Sequence, residues 1–440
     1  VQWVGRHRGL EQRICERHGV AFRGVPVEGW PRRRSLRRLW VAVKLAYSVV
    51  RCWLYIRAFR PQAVFGVGGY VSLPLGLAAQ RRGVPTVIHE QNRLLGMANR
   101  MLAPKAARIL LSFPDTVGAY PAERARVVGN PVREGFLHPP ARDAACALLD
   151  LDPSIPVVLV CGGSQGAQSL NEALAGALPH FTSGSIQILW MAGQTGIAEA
   201  RDVAAGHPLR IDTFVFIDDM VTACAAADLI VSRSGASTTA ELACLGKPSL
   251  LVPFPHATDN HQEQNARAFE DAGAAQVILD RELTGESLAA AVKALLEDAV
   301  LLNRMGEAAR SLARPGAAET IAEEIFALVF DGAAAVAPVG RGQSERKFNY
   351  LVGDASKHRE GVGSFNAVWY ENLYPGISLE MTGRRSGVKY NFHVAPGADC
   401  ASIRLRYEDI AGLRLTEDGA LEIRVKADWE PLTDGAPYIY

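Results

Sequence analysis

The chain has 440 residues, 48% of them hydrophobic and 21% charged, with a formal net charge of +1. That length suggests two or three domains, and the balanced charge offers no general case for nucleic-acid binding, so only local concentrations of charge carry information. The seven cysteines (Cys15, Cys52, Cys146, Cys161, Cys224, Cys244 and Cys400) are scattered without a CxxC pair or a Cys/His metal spacing, which fits buried thiols in a reducing compartment better than a disulfide framework.

Residues 1–4 read as a strand with no signal peptide ahead of it. A globular α/β domain that opens in mid-strand suggests a missing N-terminal piece. Residues 30–60 open with Arg32, Arg33, Arg34, Arg37 and Arg38 and continue through Leu39, Trp40, Val43, Leu45, Tyr47, Val49, Val50, Trp53, Leu54 and Ile56. Lys44 and Arg51 interrupt the run, so it is a poor spanning segment. Basic residues beside bulky aromatics suit a helix resting on anionic lipid, with Arg33, Arg37, Trp40 and Trp53 as its contacts. A core helix with solvated arginines is the plainer alternative.

Residues 63–66 form a short strand entering Gly-Val-Gly-Gly-Tyr-Val-Ser (66–72), a glycine turn that does not match the dinucleotide fingerprint. A strand over 86–88 is expected to end in His89-Glu90-Gln91-Asn92, four polar groups placed where α/β sheets bind ligands. A hydrophilic loop is the competing reading. Further strands are expected at 109–112 and 126–128, followed by Gly129-Asn130-Pro131-Val132-Arg133. Pro131 holds Asn130 extended, as in a linker between domains, and Arg133 either reaches an anionic ligand or is a plain surface arginine.

The apolar run 156–161 reads as a central parallel strand. It enters Gly162-Gly163-Ser164-Gln165-Gly166-Ala167 and a helix carrying Leu170, Leu174 and Leu178, a geometry that cradles phosphate. The Lys-Ser/Thr of a P-loop is missing, so nucleotide hydrolysis is not indicated. Strand-like runs follow at 186–191, 214–217 and 229–231. The last leads into a small-polar turn, a helix to about Leu245 stopped at Gly246, and a strand over 249–252. This is a βαβ unit with parallel strands. The start of its helix suits an anion, with hydroxyls from Ser234, Ser237, Thr238 and Thr239 and with Glu241 as acceptor for sugar hydroxyls. Ser, Thr and Glu also favour ordinary capped helix starts.

The expected architecture is α/β: two doubly wound, Rossmann-like domains over 1–135 and 136–330 with a cleft between them. Residues 331–346 look like a linker. Beyond it the hydrophobic period changes to two, through Val388, Tyr390, Phe392 and Val394, then Ile403, Leu405 and Tyr407. Leu413 and Leu415 precede Asp418-Gly419, and Leu421, Ile423 and Val425 follow, which is a hairpin signal. Residues 347–440 therefore read as a separate all-β module.

Six motifs occur in order: Val-Gly-Gly-Tyr-Val-Ser (67–72), His-Glu-Gln-Asn (89–92), Val-Val-Gly-Asn-Pro-Val-Arg (127–133), Gly-Gly-Ser-Gln-Gly-Ala (162–167), Phe-Ile-Asp-Asp-Met (216–220) and Ser-Arg-Ser-Gly-Ala (232–236). Over roughly residues 1–330 the chain resembles the MurG family of peptidoglycan N-acetylglucosaminyltransferases, which have a two-domain GT-B fold. The resemblance implies inverting transfer of GlcNAc from UDP-GlcNAc to the 4-hydroxyl of lipid I at the cytoplasmic face of the bacterial membrane, giving lipid II. It implies that Ile217 brackets uracil, that the helix start from Ala236 through Ser237, Thr238, Thr239 and Ala240 faces the diphosphate, and that Glu241 accepts from ribose. Ser164 and Arg133 would address the phosphates, Gln262 (or His261) the sugar, and Asn92 the GlcNAc or acceptor side. A departing diphosphate needs N–H donors and an incoming hydroxyl needs a base. No metal or cofactor is expected if the helix dipole takes the leaving charge.

Family members begin with a strand and a Gly-Gly-Thr-Gly-Gly-His-type loop that nothing near Val1 supplies, leaving Glu90 or His89 as the candidate base. Trp-Tyr-Glu-Asn-Leu-Tyr-Pro-Gly-Ile-Ser-Leu (369–379), Val-Ala-Pro-Gly-Ala-Asp (394–399) and Ile-Arg-Leu-Arg-Tyr (403–407) resemble a β-rich domain near the start of large secreted proteins with β-propeller-type repeats. A fusion of two gene fragments would account for both features. Three functions compete: a membrane-associated glycosyltransferase, a UDP-sugar epimerase of similar architecture, and a truncated or chimeric protein that binds UDP-GlcNAc with little turnover. The expected partners are UDP-GlcNAc, lipid I and an anionic membrane surface, and no nucleic acid.

Overall fold

The computed structural model describes residues 1–7, 9–29, 37–162, 166–329, 334, 336, 338–350, 359–384, 387–403, 412–415, 421–424 and 432–434. The chain divides into two compact units, residues 1–65 with 74–87 and 322–440, and residues 66–73 with 88–321.

In the first unit, β1 (Gln2–Arg6) and β2 (Ala21–Val25) pair in parallel around α1 (Leu10–Arg17). The basic-aromatic segment forms α2 (Arg37–Phe59), which is long and apolar enough to cross a bilayer by length and composition. Its two faces differ. Val41, Ser48, Cys52 and Ile56 are buried, spaced by seven, four and four residues. Leu39, Trp40, Val43, Tyr47, Val50 and Leu54 recur at similar spacing on another face and are exposed, Leu39 at 74% and Trp40 at 58%. Trp53 lies off that stripe, half-buried between the guanidinium groups of Arg57 and Arg82.

The next elements are β3 (Val64–Gly66), α3 (Gly69–Arg81), β4 (Thr86–Glu90), α4 (Met97–Leu102), β5 (Arg108–Leu111) and β6 (Ala125–Val127), with strand order β3-β4-β5-β6. The strand expected to stop at residue 88 runs on to Glu90, because all five of its residues are buried and stay in the sheet. His89 and Glu90 are therefore strand residues, and the loop begins at Gln91.

The second unit also holds a six-stranded parallel sheet of order β12-β11-β10-β7-β8-β9. In chain order its elements are α5 (Arg142–Leu148), β7 (Val157–Cys161), α6 (Gln168–Ala177), β8 (Gln187–Met191), α7 (Gly193–Ala205), β9 (Arg210–Phe214), α8 (Met220–Ala226), β10 (Leu229–Ser232), α9 (Ala236–Leu245), β11 (Ser249–Leu251), α10 (His261–Asp271), β12 (Ala275–Val277), α11 (Gly285–Glu297) and α12 (Ala299–Leu312), and α13 (Ala317–Val329) spans the division between residues 321 and 322. The continuous apolar runs are sorted by the period of two. Val158, Val160, Ile188, Trp190, Leu229 and Val231 join one core with Leu170, Leu174, Leu288 and Val292. Leu159, Cys161, Leu189, Met191 and Ile230 join the other with Ala223, Leu242, Ala266 and Phe269. Helices cover both faces, as a doubly wound parallel sheet requires. The strand expected over 214–217 is instead β9, ending at Phe214, so Ile217 stands in the loop beyond it.

Residues expected as linker partly fall in β13 (Pro338–Tyr350), which begins an antiparallel sheet with β14 (Arg359–Tyr374), β15 (Ile377–Arg384) and β16 (Gly387–Val394). β17 (Gly412–Leu415) and β18 (Leu421–Arg424) form the anticipated antiparallel pair and β19 (Leu432–Asp434) extends it. The turn at Asp418-Gly419 and the run after Ile403 lie outside the described residues.

Candidate functional site

The order of the six-stranded sheet reverses between β7 and β10, which pair with Cys161 opposite Ser232. Ligands bind beyond the carboxyl ends of strands at such a switch point. Both loops singled out in the sequence leave the sheet there. Gly166 closes the first with φ 79, and a Cβ on it would lie 2.5 Å from the carbonyl oxygen of Ala192. Ser164 lies outside the described residues.

The second loop, Arg233 to Gly235, delivers α9. Gly235 is its N-cap and no side chain caps it. The first turn of a helix leaves its N–H groups without intrahelical acceptors, while the Thr239 N–H already donates to Gly235 O (2.9 Å). The open donors are thus the N–H groups of Ala236, Ser237 and Thr238, where the helix dipole is positive. Of the expected hydroxyl donors, two are committed elsewhere. Ser234 Oγ donates to Gln262 O (2.7 Å), and Thr239 Oγ1 to the carbonyls of Gly235 and Ala236 (3.2 and 3.1 Å). Ser237 is exposed and Thr238 half-buried, so theirs are the hydroxyls at the mouth. Ala240, a turn further in, is not at the anion end.

Glu241 and Arg133 are brought together: Arg133 Nε donates to Glu241 Oε1 at 3.0 Å, and the guanidinium stands 4.7 Å over the Phe136 ring. Burial raises the Glu241 carboxyl above its ordinary pKa, and the Arg133 hydrogen bond and charge oppose that rise. Glu241 is half-buried and Arg133 exposed. Ile217 is buried beside the exposed Phe216 in the β9–α8 loop. Gln262 Oε1 accepts from Phe254 N at 3.0 Å, which orients the amide at the start of α10.

Arg233 was not a sequence candidate. Buried, it donates to Val252 O, Pro253 O and Asp280 Oδ1 (3.1, 3.2 and 2.6 Å) and to Ser169 Oγ (2.8 Å). It ties the loop before α9 to the loop after β11, to Asp280 beyond β12 and to Ser169 in the first turn of α6. Its neighbours in space are distant in sequence, so nothing local marked it.

His89 and Glu90 are placed differently from the expectation that one of them is an open base. His89 is 2% exposed; its Nε2 faces Gly129 O at 2.9 Å, and a carbonyl can only accept, so the proton is assigned to Nε2. Nδ1 then accepts from Gln91 Nε2 at 3.3 Å. Burial lowers the His89 pKa and holds the ring neutral. Glu90, 3% exposed, accepts Asn92 N and Nδ2 on Oε1 (both 3.1 Å) and Gly96 N and Asn99 Nδ2 on Oε2 (2.9 and 2.8 Å). Two carboxylate oxygens offer about four lone-pair directions, and all are taken. The arrangement makes Glu90 the organiser of the loop that carries Asn92.

Among the described residues there is no group of three or more His, Cys, Asp and Glu side chains placed to hold a metal ion. Burial pushes the thiols of Cys52 and Cys161 up to about 12 and that of Cys224 up as well, so they behave as core groups.

Models of the glycosyltransferase family 28 N-terminal and C-terminal domains match residues 1–111 and 157–321, and a domain of unknown function (DUF7948) matches residues 291–440. The UDP-N-acetylglucosamine–N-acetylmuramyl-(pentapeptide) pyrophosphoryl-undecaprenol N-acetylglucosamine transferase of Desulforudis audaxviator is 41% identical over 339 residues, covering 75% of this chain and 90% of the relative. The enzyme of the same name from Lactiplantibacillus plantarum is 37% identical, covering 73% and 89%. Among solved structures, Acinetobacter baumannii MurG superposes with a TM-score of 0.63 at 31% identity over 74% of this chain and 90% of that one. A UDP-GlcNAc 2-epimerase from Neisseria meningitidis (TM-score 0.53, 13% identity, covering 74% and 91%) shares the fold alone.

Proposed function

Since the chain belongs to the peptidoglycan N-acetylglucosaminyltransferase family of these relatives and has its GT-B fold, we infer that it transfers GlcNAc from UDP-GlcNAc to the 4-hydroxyl of the lipid-linked muramyl-pentapeptide. The observation that carries the site assignment is the uncapped first turn of α9 at the sheet's switch point, with the Glu241–Arg133 pair beside it. In the reaction the acceptor oxygen bonds to the anomeric carbon as that carbon's bond to the diphosphate oxygen breaks, with inversion. The electron pair leaves on UDP, and the hydroxyl proton goes to a base or to water. N–H donors fixed before the reaction stabilise the charge growing on the diphosphate at no reorganisation cost. Ala236, Ser237, Thr238 and Arg133 serve the phosphates, Glu241 the ribose, Ile217 the uracil and Gln262 the sugar. Asn92 meets the sugar or acceptor, and His89 and Glu90 position it.

The exposed stripe of α2, with Arg37, Lys44 and Arg51 on the same helix, is the surface we assign to an anionic membrane, where the lipid acceptor resides. Arg33 belongs to the same basic cluster in sequence and lies outside the described residues.

The test is purified chain with UDP-GlcNAc and a lipid I analogue, following UDP release and disaccharide. Disaccharide formed in step with UDP supports the reading. UDP-ManNAc formed without acceptor indicates an epimerase, and UDP-GlcNAc binding without product indicates a donor-binding protein.

A further inference from the structure

Asn265, on α10, has no exposed surface, and its amide is engaged in three directions. Its Oδ1 accepts from Arg93 N at 3.0 Å, and its Nδ2 donates to Asn92 Oδ1 at 3.1 Å and to Ser234 O at 3.2 Å. Ser234 is the residue before the N-cap of α9, and its hydroxyl returns to α10 through Gln262 O. Asn92 is held from its other side by Glu90. One buried amide thus links the loop after β4 to the entrance of α9. Two ion pairs flank it, Arg93 Nη1–Asp271 at 3.2 Å and Arg100 Nη2–Asp259 at 3.3 Å. The aspartates and Arg100 are well exposed, and ion pairs in water hold register poorly.

We propose that Asn265 is a positioning residue for the transfer reaction: it sets the register between Asn92 and the diphosphate-binding turn of α9. The inference rests on the glycosyltransferase reading above. Only an amide satisfies the three partners, since Ser234 O and Asn92 Oδ1 both need a donor while Arg93 N needs an acceptor. A carboxylate would face two oxygens with no proton to give. Register matters because a misplacement of about 1 Å between reacting groups costs on the order of 100-fold in rate.

The experiment compares the full chain with Asn265→Ala, Asn265→Ser and Asn92→Ala, singly and as Asn92→Ala combined with Asn265→Ala. It measures kcat and KM for UDP-GlcNAc, the Kd of UDP, and Tm. The expected result is a fall in kcat of roughly 10- to 100-fold for both Asn265 variants, a UDP Kd within about threefold of the parent, and a double variant no slower than the slower single one. Arg100→Ala, which removes a surface pair, is expected to keep kcat within about twofold. A merely structural role would lower Tm and the fraction of molecules that bind UDP, and would leave kcat per UDP site unchanged. That outcome overturns the proposal, as does a double variant whose losses multiply. If Asn265→Ala does not fold, Asn265→Ser decides on the same criteria. A parent chain that turns over no lipid I analogue overturns the functional reading, and this inference with it; an active parent whose variants keep full kcat overturns this inference alone.

Discussion

At Glu241 two effects oppose each other: burial raises the carboxyl pKa, and Arg133 at 3.0 Å pulls it down. Removing the guanidinium removes the opposing effect. In Arg133→Ala the acid-side loss of UDP affinity should therefore begin at a higher pH, which calorimetric Kd values from pH 5 to 8 would show; superimposable normalised profiles would refute it. Glu241→Ala itself should weaken UDP-GlcNAc binding by roughly 10-fold or more, the usual worth of hydrogen bonds to a charged group. His89 gives a stability prediction. Its folded pKa is depressed, so the native state binds fewer protons than the unfolded chain. That contribution is present above the ordinary histidine value near 6.5 and is lost as pH falls through and below it. Denaturant titrations at pH 7.5 and 5.5 should show a loss that shrinks in His89→Gln. Glu241 was legible in the sequence because it follows a strand–turn–helix signal. Asn265 and Arg233 were not, because their meaning lies in partners 19 to 173 positions away.

At the scale of elements, the boundaries of α9 follow from local chemistry. Gly246 ends it in the left-handed region at φ 62, where a Cβ would also lie 2.4 Å from Arg310 Cγ. Gly246→Ala should cost at least about 1–2 kcal/mol, read as a lower urea midpoint with unchanged slope. For α2, the segregation of exposed apolar residues from Val41, Ser48, Cys52 and Ile56 gives the membrane test. Trp40→Ser with Val50→Ser should reduce sedimentation with phosphatidylglycerol vesicles and spare UDP binding. If vesicle binding is unaffected, this stripe is not the lipid-facing surface. In the sequence, an aromatic beside arginines reads the same whether it faces lipid or, as Trp53 does, lies half-buried near the Arg57 and Arg82 guanidinium groups.

For the molecule as a whole, donor binding should be coupled to folding by mass action. A ligand at about 100 times its Kd adds about 2.7 kcal/mol to a state that binds it. UDP-GlcNAc at that excess should raise Tm, and the rise should be roughly halved in Glu241→Ala at the same concentration if its affinity falls about 10-fold. A Tm that does not respond in the parent would contradict the donor site.

The sequence by itself determined the class of this protein. Continuous apolar runs had to become central parallel strands, alternating ones half-buried antiparallel strands, and the ordered glycine and small-polar turns between strand and helix had to present backbone N–H groups. Each of these follows from interactions within a few residues. Only the tertiary structure decided which polar groups remain open. It extended β4 through His89 and Glu90, because burial on both faces of the sheet outweighed their polarity, and it saturated the Glu90 carboxylate with four donors. It also closed the Asn92–Asn265–Ser234 link, 31 residues on one side and 173 on the other, which no local period or propensity encodes.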